Sequence, residues 1–472
     1  LIYEIGYEKP FSGKINTYRN NQLIVAADFK DGLLNGKYEE YFNNQSIKKF
    51  AGYLEGKLNG DYKEYYNSGT IKIHAYFREG ERFGITKTFY PNETLKSSKI
   101  YFKGKLRGEF KEFTNNGLLL KKGFYENGME NGTFEEFNPD GSLDQRAIYK
   151  DGILNGLYEW FNPDGSLNER AIYKDGLLNG LYEWFDHPDG SLSTRATYKD
   201  GRKNGLKEIF NKDGSLDERA FYKDDQLNGL YEWFDHPDGS MDQRAIYKDG
   251  RKNGPQEWFN PDGSLSERGI YKDGLSNGLH EWFGHPDGSL STRATYKNDK
   301  KTGLEERFNP DGSLSTRAIY KDGLLNGLYE WLNPDGSLDE RGIYKDGLLN
   351  GLYEWFDHPD GSLNERATYK DDQLNGLYEW FNPDGSLRSK AIYKDGRKNG
   401  LQEWFNPDGS LSQRAIYKDG LLNGLFEWFD HPDGSLNERA TYKDDQLNGL
   451  YEWFNPDGSL SERGIYKDGL AN

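Results

Sequence analysis

A 24-residue phrase recurs along nearly the whole chain, and it constrains the fold more than any other feature. In residues 156–179 it reads GLYEWFNPDGSLNERAIYKDGLLN. Nineteen copies follow one another at steps of 23, 24 or 25 residues. Their opening glycines are Gly13, Gly36, Gly60, Gly84, Gly108, Gly132, Gly156, Gly180, Gly205, Gly229, Gly254, Gly278, Gly303, Gly327, Gly351, Gly376, Gly400, Gly424 and Gly449. Such a fixed period is typical of a repeat fold, in which one small unit stacks on the next.

Each copy predicts a β-hairpin. Residues 162–165, Asn-Pro-Asp-Gly, suit a tight turn because Pro presets φ, Asn and Asp bond their own backbone, and Gly accepts a left-handed conformation. A second connection, Lys-Asp-Gly at 174–176, returns the chain for the next hairpin. We therefore predict an all-β fold: an elongated antiparallel meander of about 19 stacked hairpins that form one continuous twisted sheet.

Fixed columns within the units predict how the side chains are sorted. We expect Phe161, five positions after its glycine, to face Leu167 across the hairpin. Period-2 alternation then places the aliphatic Leu167, the small Ala171 and the aromatic Tyr173 on one face. The small residue is expected to let a neighbouring ring lie flat over the backbone. Glu159 alternates onto the face of Phe161, where its carboxylate either reaches solvent at the sheet margin or pairs with arginines of neighbouring units.

The other face is predicted to carry Tyr158 and Trp160 opposite Arg170. Equivalent tryptophans lie two strands, about 9.5 to 10 Å, apart, which is too far for direct stacking, so we expect arginines to alternate with them in a cation-π ladder. This ladder is either a rigidifying element, the interpretation we favour, or a platform for a carbohydrate or peptide. The candidate binding face consists of Trp160, Trp184, Trp233, Trp258, Trp282, Trp331, Trp355, Trp380, Trp404, Trp428, Trp453, Arg170, Arg195 and Arg268.

Composition and charge argue against several classes of partner. The net charge is −17, so phosphate backbones and anionic lipid headgroups are repelled, and we expect neither nucleic-acid binding nor membrane insertion. The chain has no cysteine, which excludes disulfides and thiolate metal sites and suits an extracellular or cell-surface protein as readily as a cytoplasmic one.

No residue pattern indicates catalysis, a cofactor or a metal. Five histidines stand in turns that are one residue longer and are two or three units apart, so we interpret them as turn variants: His187, His236, His285, His358 and His431. Turn aspartates such as Asp164 and Asp175 lack the ligand spacing of calcium loops, so we interpret them as solvated turn residues and leave calcium binding open. We predict a protein that is not an enzyme.

The copies differ in how closely they resemble one another. Residues 1–12 are expected to form a leading partial unit or cap, 13–155 divergent hairpins, and 156–472 near-identical hairpins. The last residues, Leu-Ala-Asn, stop one residue before the next expected glycine, which predicts an edge strand that pairs with further chain or with another subunit.

The pattern G-x-Y-x-x-Y/F-x-x-x-G-x-L, followed by Y-K-D-G-x-x-N-G, resembles the MORN repeat variant of long bacterial and viral repeat proteins. The unit at 60–83, GDYKEYYNSGTIKIHAYFREGERF, is particularly similar. The resemblance implies stacked hairpins in one twisted sheet. It implies little about biochemistry, because such repeats serve as scaffolds, lipid-associated modules, surface proteins and, in some relatives, antitoxins. The basic surface of a lipid binder is missing here.

Two functions follow as hypotheses. The first is a non-catalytic extended fibre, spacer or adhesin-like scaffold, extracellular or on the cell surface, that associates with itself end to end or laterally. The second is a module that binds a surface protein or a glycan, in the manner of an antitoxin and its partner, through the Trp, Tyr and Arg side chains.

Overall fold

The computed structural model describes residues 1–6 and 8–472. These residues form two compact bodies, each of many 24-residue copies: the first unit of the structure is Leu1–Phe234 and the second unit is Asp235–Asn472. Every regular element of these residues is a β-strand, and none of them forms a helix long and apolar enough to cross a bilayer. The predicted all-β class is confirmed. The three segments predicted from sequence similarity, 1–12, 13–155 and 156–472, stay a prediction.

The strands of the first unit are β1 (Gly13–Arg19), β2 (Gln22–Lys30), β3 (Leu33–Tyr41), β4 (Ile47–Leu54), β5 (Lys57–Tyr65), β6 (Ile71–Arg78), β7 (Glu81–Arg82), β8 (Gly84–Phe89), β9 (Leu95–Phe102), β10 (Lys105–Phe113), β11 (Leu119–Glu126), β12 (Met129–Glu130), β13 (Gly132–Phe137), β14 (Leu143–Lys150), β15 (Ile153–Phe161), β16 (Leu167–Lys174), β17 (Leu177–Trp184), β18 (Thr194–Lys199), β19 (Arg202–Phe210), β20 (Leu216–Lys223) and β21 (Gln226–Trp233).

The strands of the second unit are β22 (Gln243–Lys248), β23 (Arg251–Phe259), β24 (Leu265–Lys272), β25 (Leu275–Trp282), β26 (Thr292–Lys297), β27 (Lys300–Phe308), β28 (Leu314–Lys321), β29 (Leu324–Leu332), β30 (Leu338–Lys345), β31 (Leu348–Trp355), β32 (Glu365–Lys370), β33 (Gln373–Phe381), β34 (Leu387–Lys394), β35 (Arg397–Phe405), β36 (Leu411–Lys418), β37 (Leu421–Trp428), β38 (Glu438–Lys443), β39 (Gln446–Phe454), β40 (Leu460–Lys467) and β41 (Leu470–Ala471).

Within each unit, strands that follow one another in the chain pair in antiparallel orientation, and the sheet is an open meander. The hairpin arrangement predicted from the turns is therefore confirmed. Two short strands, β7 and β12, precede β8 and β13, where the regular pairing is interrupted near the opening glycine.

Two kinds of turn connect the strands, as their residues predict. Asp175 and Gly176 have φ of 51° and 81°, so the connection between β16 and β17 is a two-residue turn with both central residues left-handed, the type I′ geometry that matches strand twist. In the Asn-Pro-Asp-Gly turn, the Asp164 carboxylate accepts hydrogen bonds from the Ser166 amide (2.9 Å) and hydroxyl (2.6 Å). Gly165 closes this turn at φ 85°.

The glycine that opens each repeat is required by its backbone conformation and, in most repeats, also by space. Gly156 has φ 142°, and a Cβ there would lie 2.9 Å from Cβ of Ile148 on β14. Gly278 meets Ile270 in the same way. Since any other residue would be strained and would clash, the most regular feature of the sequence marks a bulge where the second strand of one hairpin meets the next hairpin.

A second bulge, beside the Asn-Pro-Asp-Gly turn, decides which side chains share a face. Tyr158 pairs with Ala171 and Trp160 with Glu169, but Phe161 pairs with Leu167, which leaves one extra residue on β16. The predicted pairing of Phe161 with Leu167 is thus confirmed. Because directly paired residues point to the same face, the extra residue reverses the faces that simple alternation predicts for the returning strand.

The small residues form the most buried row of the sheet. Ala171, Ala220 and Ala367 have no exposed surface. Where glycine replaces alanine, the neighbouring ring occupies the space, and a Cβ at Gly342 would lie 2.4 Å from the ring of Tyr353. This confirms that the small residue lets a ring of the following hairpin lie over the backbone.

Candidate binding face

Two faces of different chemistry result from the strand pairing. The aromatic face carries Tyr158, Trp160, Ala171, Tyr173 and their equivalents in other units. The ion-pair face carries Leu157, Glu159, Arg170, Ile172 and their equivalents.

The predicted tryptophans all belong to the column of Trp160 on the aromatic face. Four of them are exposed, namely Trp160, Trp184, Trp331 and Trp380, and the other seven are half-buried. Trp428 and Trp453 meet edge to face with their ring centroids 6.3 Å apart. This contact is edge to face and not a stack, so it agrees with the expectation that equivalent tryptophans are too far apart for direct stacking.

The predicted arginines lie on the opposite face, so the Trp and Arg ladder is wrong. Arg170 pairs directly with Glu159 rather than with Trp160. Arg195 pairs with Glu183, and Arg268 with Glu257 and Glu281. For Arg170 and Arg268 the physical reason is the bulge beside the turn, which shifts the returning strand by one residue, whereas Arg195 follows a longer turn and its strand pair has an unbroken register. Whether any of these tryptophans or arginines binds a ligand remains a prediction.

Arginine and glutamate alternate along the ion-pair face. The carboxylate of Glu159 receives the Nη1 of Arg146 at 3.2 Å and the Nε of Arg170 at 3.2 Å, and thus joins two successive hairpins. Arg170 continues to Glu183 at 3.5 Å. In the body Asp235–Asn472, Glu427 lies between Arg414 and Arg439 in the same way. Of the two predicted alternatives, solvent exposure at the sheet margin or pairing with arginines of neighbouring hairpins, the structure shows the pairing.

Burial and charge act in opposite directions on the ion-pair carboxylates. Burial alone would raise the pKa of Glu135, but hydrogen bonds and charge from Lys122 and Arg146 outweigh it and hold the pKa below its ordinary value. The stability that this carboxylate supplies is present at neutral pH and is lost as the pH falls through its lowered pKa. The arginines also cover phenylalanines: the guanidinium carbon of Arg268 lies 5.9 Å from the ring centroid of Phe283.

On the aromatic face some carboxylates are paired, as Glu218 is with Lys207 at 3.0 Å, but Glu169 forms no ion pair with any described residue. Desolvation raises the pKa of Glu169. Desolvation, assisted by the charge of Glu169, raises the pKa of Tyr182 to about 12. Both groups are therefore poor carriers of negative charge, and the face favours aromatic contacts, such as the edge-to-face pair of Tyr158 and Tyr173 at 6.0 Å.

Three tryptophans do receive a cation, although not from the predicted arginines. The guanidinium of Arg388 lies 4.4 Å from the centroid of Trp380. Lys252 lies 4.9 Å from Trp258, and Lys398 lies 5.8 Å from Trp404. Lys252 and Lys398 stand two residues before an opening glycine, and Arg388 follows the Asn-Pro-Asp-Gly turn. Most repeats have leucine or an uncharged polar residue at these positions, so a comparison of the repeated columns does not reveal these cations.

Side chains at the two margins of the sheet also join successive hairpins. Asn155 donates to the Asp175 carboxylate of the next turn at 3.1 Å, and the same bond recurs between Asn448 and Asp468 at 2.9 Å. At the other margin each histidine of the longer turns donates from Nε2 to a backbone carbonyl of the following hairpin. These pairs are His187 with Phe210, His236 with Phe259, His285 with Phe308, His358 with Phe381, and His431 with Phe454, at 2.9 to 3.2 Å.

The turn histidines are therefore structural contacts between hairpins, which the sequence did not reveal, because a carbonyl acceptor has no residue signature. Over residues 1–6 and 8–472, no three side chains of His, Cys, Asp or Glu come together in a group that could hold a metal ion.

Comparison with known proteins identifies the repeat. The family model "MORN repeat variant" matches residues 58–79, 130–151, 154–175, 252–273, 374–395, 398–419 and 447–468. No curated protein matches the chain. Each matched segment extends from the end of one connection through a hairpin to the next Lys-Asp-Gly or its equivalent.

Solved structures offer only distant similarity. A crystal structure of TarM is 14% identical over 26% of this chain and 20% of that one, with a TM-score of 0.13. A TcdB2-TccC3-TEV crystal structure is 10% identical over 97% of this chain and 24% of that one, with a TM-score of 0.16. The Tc holotoxin pore of Photorhabdus luminescens is 11% identical over 97% and 28%, with a TM-score of 0.12.

The chain thus spans less than a third of the length of these structures, and TM-scores this low carry no argument about its fold or function. The matched repeats indicate a repeat scaffold or a binding module. The seven matched segments, which share one kind of hairpin, are similar to the MORN repeat variant and together cover less than half of the chain.

Proposed function

We propose that the protein is a non-catalytic repeat scaffold, a surface fibre or spacer whose span is set by the number of its hairpins. The observation that supports this most is the recurrence of the same bridging contacts from hairpin to hairpin. Glu159 joins one hairpin to the next on the ion-pair face, and Asn155 and His187 join hairpins at the two margins. A repeat of this kind is stabilised by its two neighbours, and further copies can be added with the same contacts.

The span of such a scaffold depends on strand spacing. Each hairpin adds two strands, or about 9.5 to 10 Å along the sheet. Copies that are nearly identical suit this role, because a unit can be added or lost without altering the contacts on either side. We propose an extracellular or cell-surface location for this scaffold and self-association as its mode of assembly.

Electron microscopy of a shortened variant tests the proposal. Removing residues 327–375 deletes two whole units and joins Asn326 to Gly376, which recreates the usual Asn-Gly junction. The contour length should fall by about 19 to 20 Å. A control chain in which residues 327–350 are replaced by residues 156–179 keeps the number of units and should keep its length. A shortened variant of unchanged length, or one that no longer folds, would contradict the proposal.

A second function, binding of a surface protein or a glycan, is favoured by one observation: four tryptophans of the same column are exposed. Changing Trp160, Trp184, Trp331 and Trp380 together to alanine should abolish capture of a stoichiometric partner. The matched control changes four exposed isoleucines of the ion-pair face, Ile172, Ile270, Ile343 and Ile416. Loss of the partner from the control alone would place binding on the other face.

A further inference from the structure

One cleft on the aromatic face is acidic. It has a volume of about 310 Å³ and lies beside the longer turn after β31. Its lining consists of Asp339, Trp355, Asp357, Asn364 and Glu365. Three of the five residues are carboxylates and one is an indole, a combination that no other described cleft has.

The polar groups of this cleft are mostly hydrogen-bond acceptors that lack a cation. Within residues 1–6 and 8–472, neither Asp339 nor Asp357 forms an ion pair. Glu365 accepts one hydrogen bond, from the hydroxyl of Tyr378 at 2.6 Å. The indole of Trp355 is held in place by the ring of Tyr353, whose centroid is 4.2 Å away. The site is therefore rigid, negative and rich in acceptors.

The corresponding surface three repeats later, here called the Trp428 cleft, keeps part of the arrangement, with Ser412 in place of Asp339. The Asn364 oxygen of the first cleft accepts a hydrogen bond from the indole of Trp380 at 3.1 Å. Beside Trp428 stand Asp430, Asn437 and Glu438, at the positions of Asp357, Asn364 and Glu365. Asn437 is 7% exposed, and its side-chain oxygen has no hydrogen-bond partner. A buried acceptor without a partner is costly, and a donor from a ligand would satisfy it. Desolvation also raises the pKa of Glu438, a penalty that a bound cation would relieve.

The same column of tryptophans already accepts cations from within the chain. Arg388 covers Trp380 and Lys252 covers Trp258, at 4.4 and 4.9 Å from the ring centroids. No such cation covers Trp355 or Trp428 among the described residues. These pairs show that the indoles of this face contact a guanidinium or an ammonium group where the chain places one nearby.

We propose that the Trp355 cleft binds the guanidinium or ammonium group of a basic segment of a partner protein, and that the Trp428 cleft binds a second such group of the same segment. Arginine and lysine side chains are donors only, which matches a lining of acceptors, and they gain a cation-π contact with the indole. The net charge of −17 attracts a basic partner. A metal ion is the poorer occupant, because no described group of side chains is placed to hold one.

The spacing of the two clefts makes the proposal specific. Trp355 lies on β31 and Trp428 on β37, six strands apart within the second unit, or about 28 to 29 Å. An extended peptide covers about 3.3 Å per residue, so two arginines nine residues apart span about 30 Å. The inference is independent of the proposed scaffold function, since a spacer with or without self-association could carry these clefts.

A peptide series tests the site. The probe is a fluorescein-labelled Gly- and Ser-rich peptide with two arginines nine residues apart, and its binding to the full chain is measured by fluorescence anisotropy. We expect it to bind at least about tenfold more tightly than a peptide with one arginine, because the second contact is intramolecular. A peptide with citrulline, a neutral isostere, in place of both arginines should not bind. Equal binding of the citrulline peptide would overturn the proposal.

Variants locate the binding on the chain. Asp339→Asn together with Asp357→Asn should weaken binding at least about tenfold, since both cation partners are lost. The charge-matched control, Asp151→Asn with Asp322→Asn, alters two exposed turn aspartates and should change binding less than about twofold. Circular dichroism of each variant verifies the fold.

The chain also contains an internal comparison: the cleft at Trp282 has Ser266, Gly284 and Thr292 in place of the three carboxylates. Changing Trp282 to alanine should leave binding unchanged, whereas Trp355→Ala should weaken it at least about tenfold, to the level of the one-arginine peptide. If the two-arginine peptide fails to bind at about 1 mM, or if the control variants weaken it as much as the cleft variants do, the proposal is wrong.

Discussion

Each buried glutamate of the ion-pair face that lies between two arginines links two successive hairpins. Glu159 is 6% exposed, and its two arginine partners belong to successive hairpins. A carboxylate that is removed from water must keep its partners, since an unpaired buried charge or donor is costly. The arginines are about two-fifths exposed, so part of this interaction is screened.

Replacing Glu159 with glutamine should therefore lower the free energy of unfolding by about 1 to 2 kcal/mol, because the charge-assisted bonds to Arg146 and Arg170 are weakened. Urea unfolding at pH 7, followed by tryptophan fluorescence, measures the change. A variant as stable as the parent chain would show that these ion pairs contribute little to the free energy of unfolding.

A glutamate of the same hairpin on the aromatic face should respond in the opposite way. Glu169 has a raised pKa because burial disfavours its charged form. Glu169→Gln should thus stabilise the chain at pH 7. The gain should fade as the pH falls through the raised folded pKa and should vanish below the ordinary value of 4.5, where the parent glutamate is protonated in both states. Unfolding curves from pH 7 to pH 3 check this, and a gain that persists at the lowest pH would refute it.

At the scale of the hairpin, turn chemistry made the fold predictable. Asn-Pro-Asp-Gly and Lys-Asp-Gly each specify a turn whose backbone is now observed, and the column of small residues indicated where rings pack. The assignment of faces was not predictable in the same way. Pairing Phe161 with Leu167 was correct, but whether Asn168 joins the ladder or bulges out depends on backbone geometry that the residue types leave open.

The same limit explains the wrong Trp and Arg ladder. A bulge of one residue moves Arg170 from the face of Tyr158 and Trp160 to the face of Glu159 without any change in composition, and both surroundings are chemically reasonable for an arginine. Contacts of a side chain with a backbone carbonyl, such as that of His187 with Phe210, could not be predicted at all, because every residue has a carbonyl.

The type I′ turn gives a prediction for the hairpin itself. At Asp175 the backbone has φ 51°, and the side chain accepts the bond from Asn155. Asp175→Ala should lower the free energy of unfolding by about 1 to 2 kcal/mol, because alanine is strained in the left-handed region and cannot accept the bond. Asp175→Asn is the matched control and should change stability by less than about 0.5 kcal/mol, since asparagine tolerates this conformation. Thermal unfolding of the two variants distinguishes backbone strain from charge.

For the molecule as a whole, stability arises between neighbours. Apolar residues make up only 34% of the chain, and the buried row consists largely of alanine, so no thick core connects distant hairpins. The ion pairs, the Asn to Asp bonds and the ring contacts described above act within one hairpin or between hairpins that are adjacent in the chain. Such an array behaves approximately as a sum of units and of the interfaces between successive units.

Local effects of mutation follow from this. Glu159→Gln should increase hydrogen exchange of the backbone amides in β13 to β16, whose two hairpins lose the bridging carboxylate, and should leave β39 and β40 unchanged. Hydrogen exchange read by mass spectrometry measures both regions in one experiment. A uniform increase along the whole chain would mean that the array unfolds as one cooperative body.

The account depends most on the register that separates the aromatic face from the ion-pair face, and the absence of cysteine allows a direct test. Leu157 and Ile172 are directly opposite each other on the ion-pair face. A chain carrying Leu157→Cys and Ile172→Cys should form a disulfide upon mild oxidation, because opposed Cβ atoms lie about 4.5 to 5.5 Å apart, within reach of the bond after a small adjustment. Leu157→Cys with Ala171→Cys, the pair that unbroken alternation from Phe161 and Leu167 would bring together, should stay reduced. Disulfide formation in the second chain and not in the first would contradict the separation of the two faces.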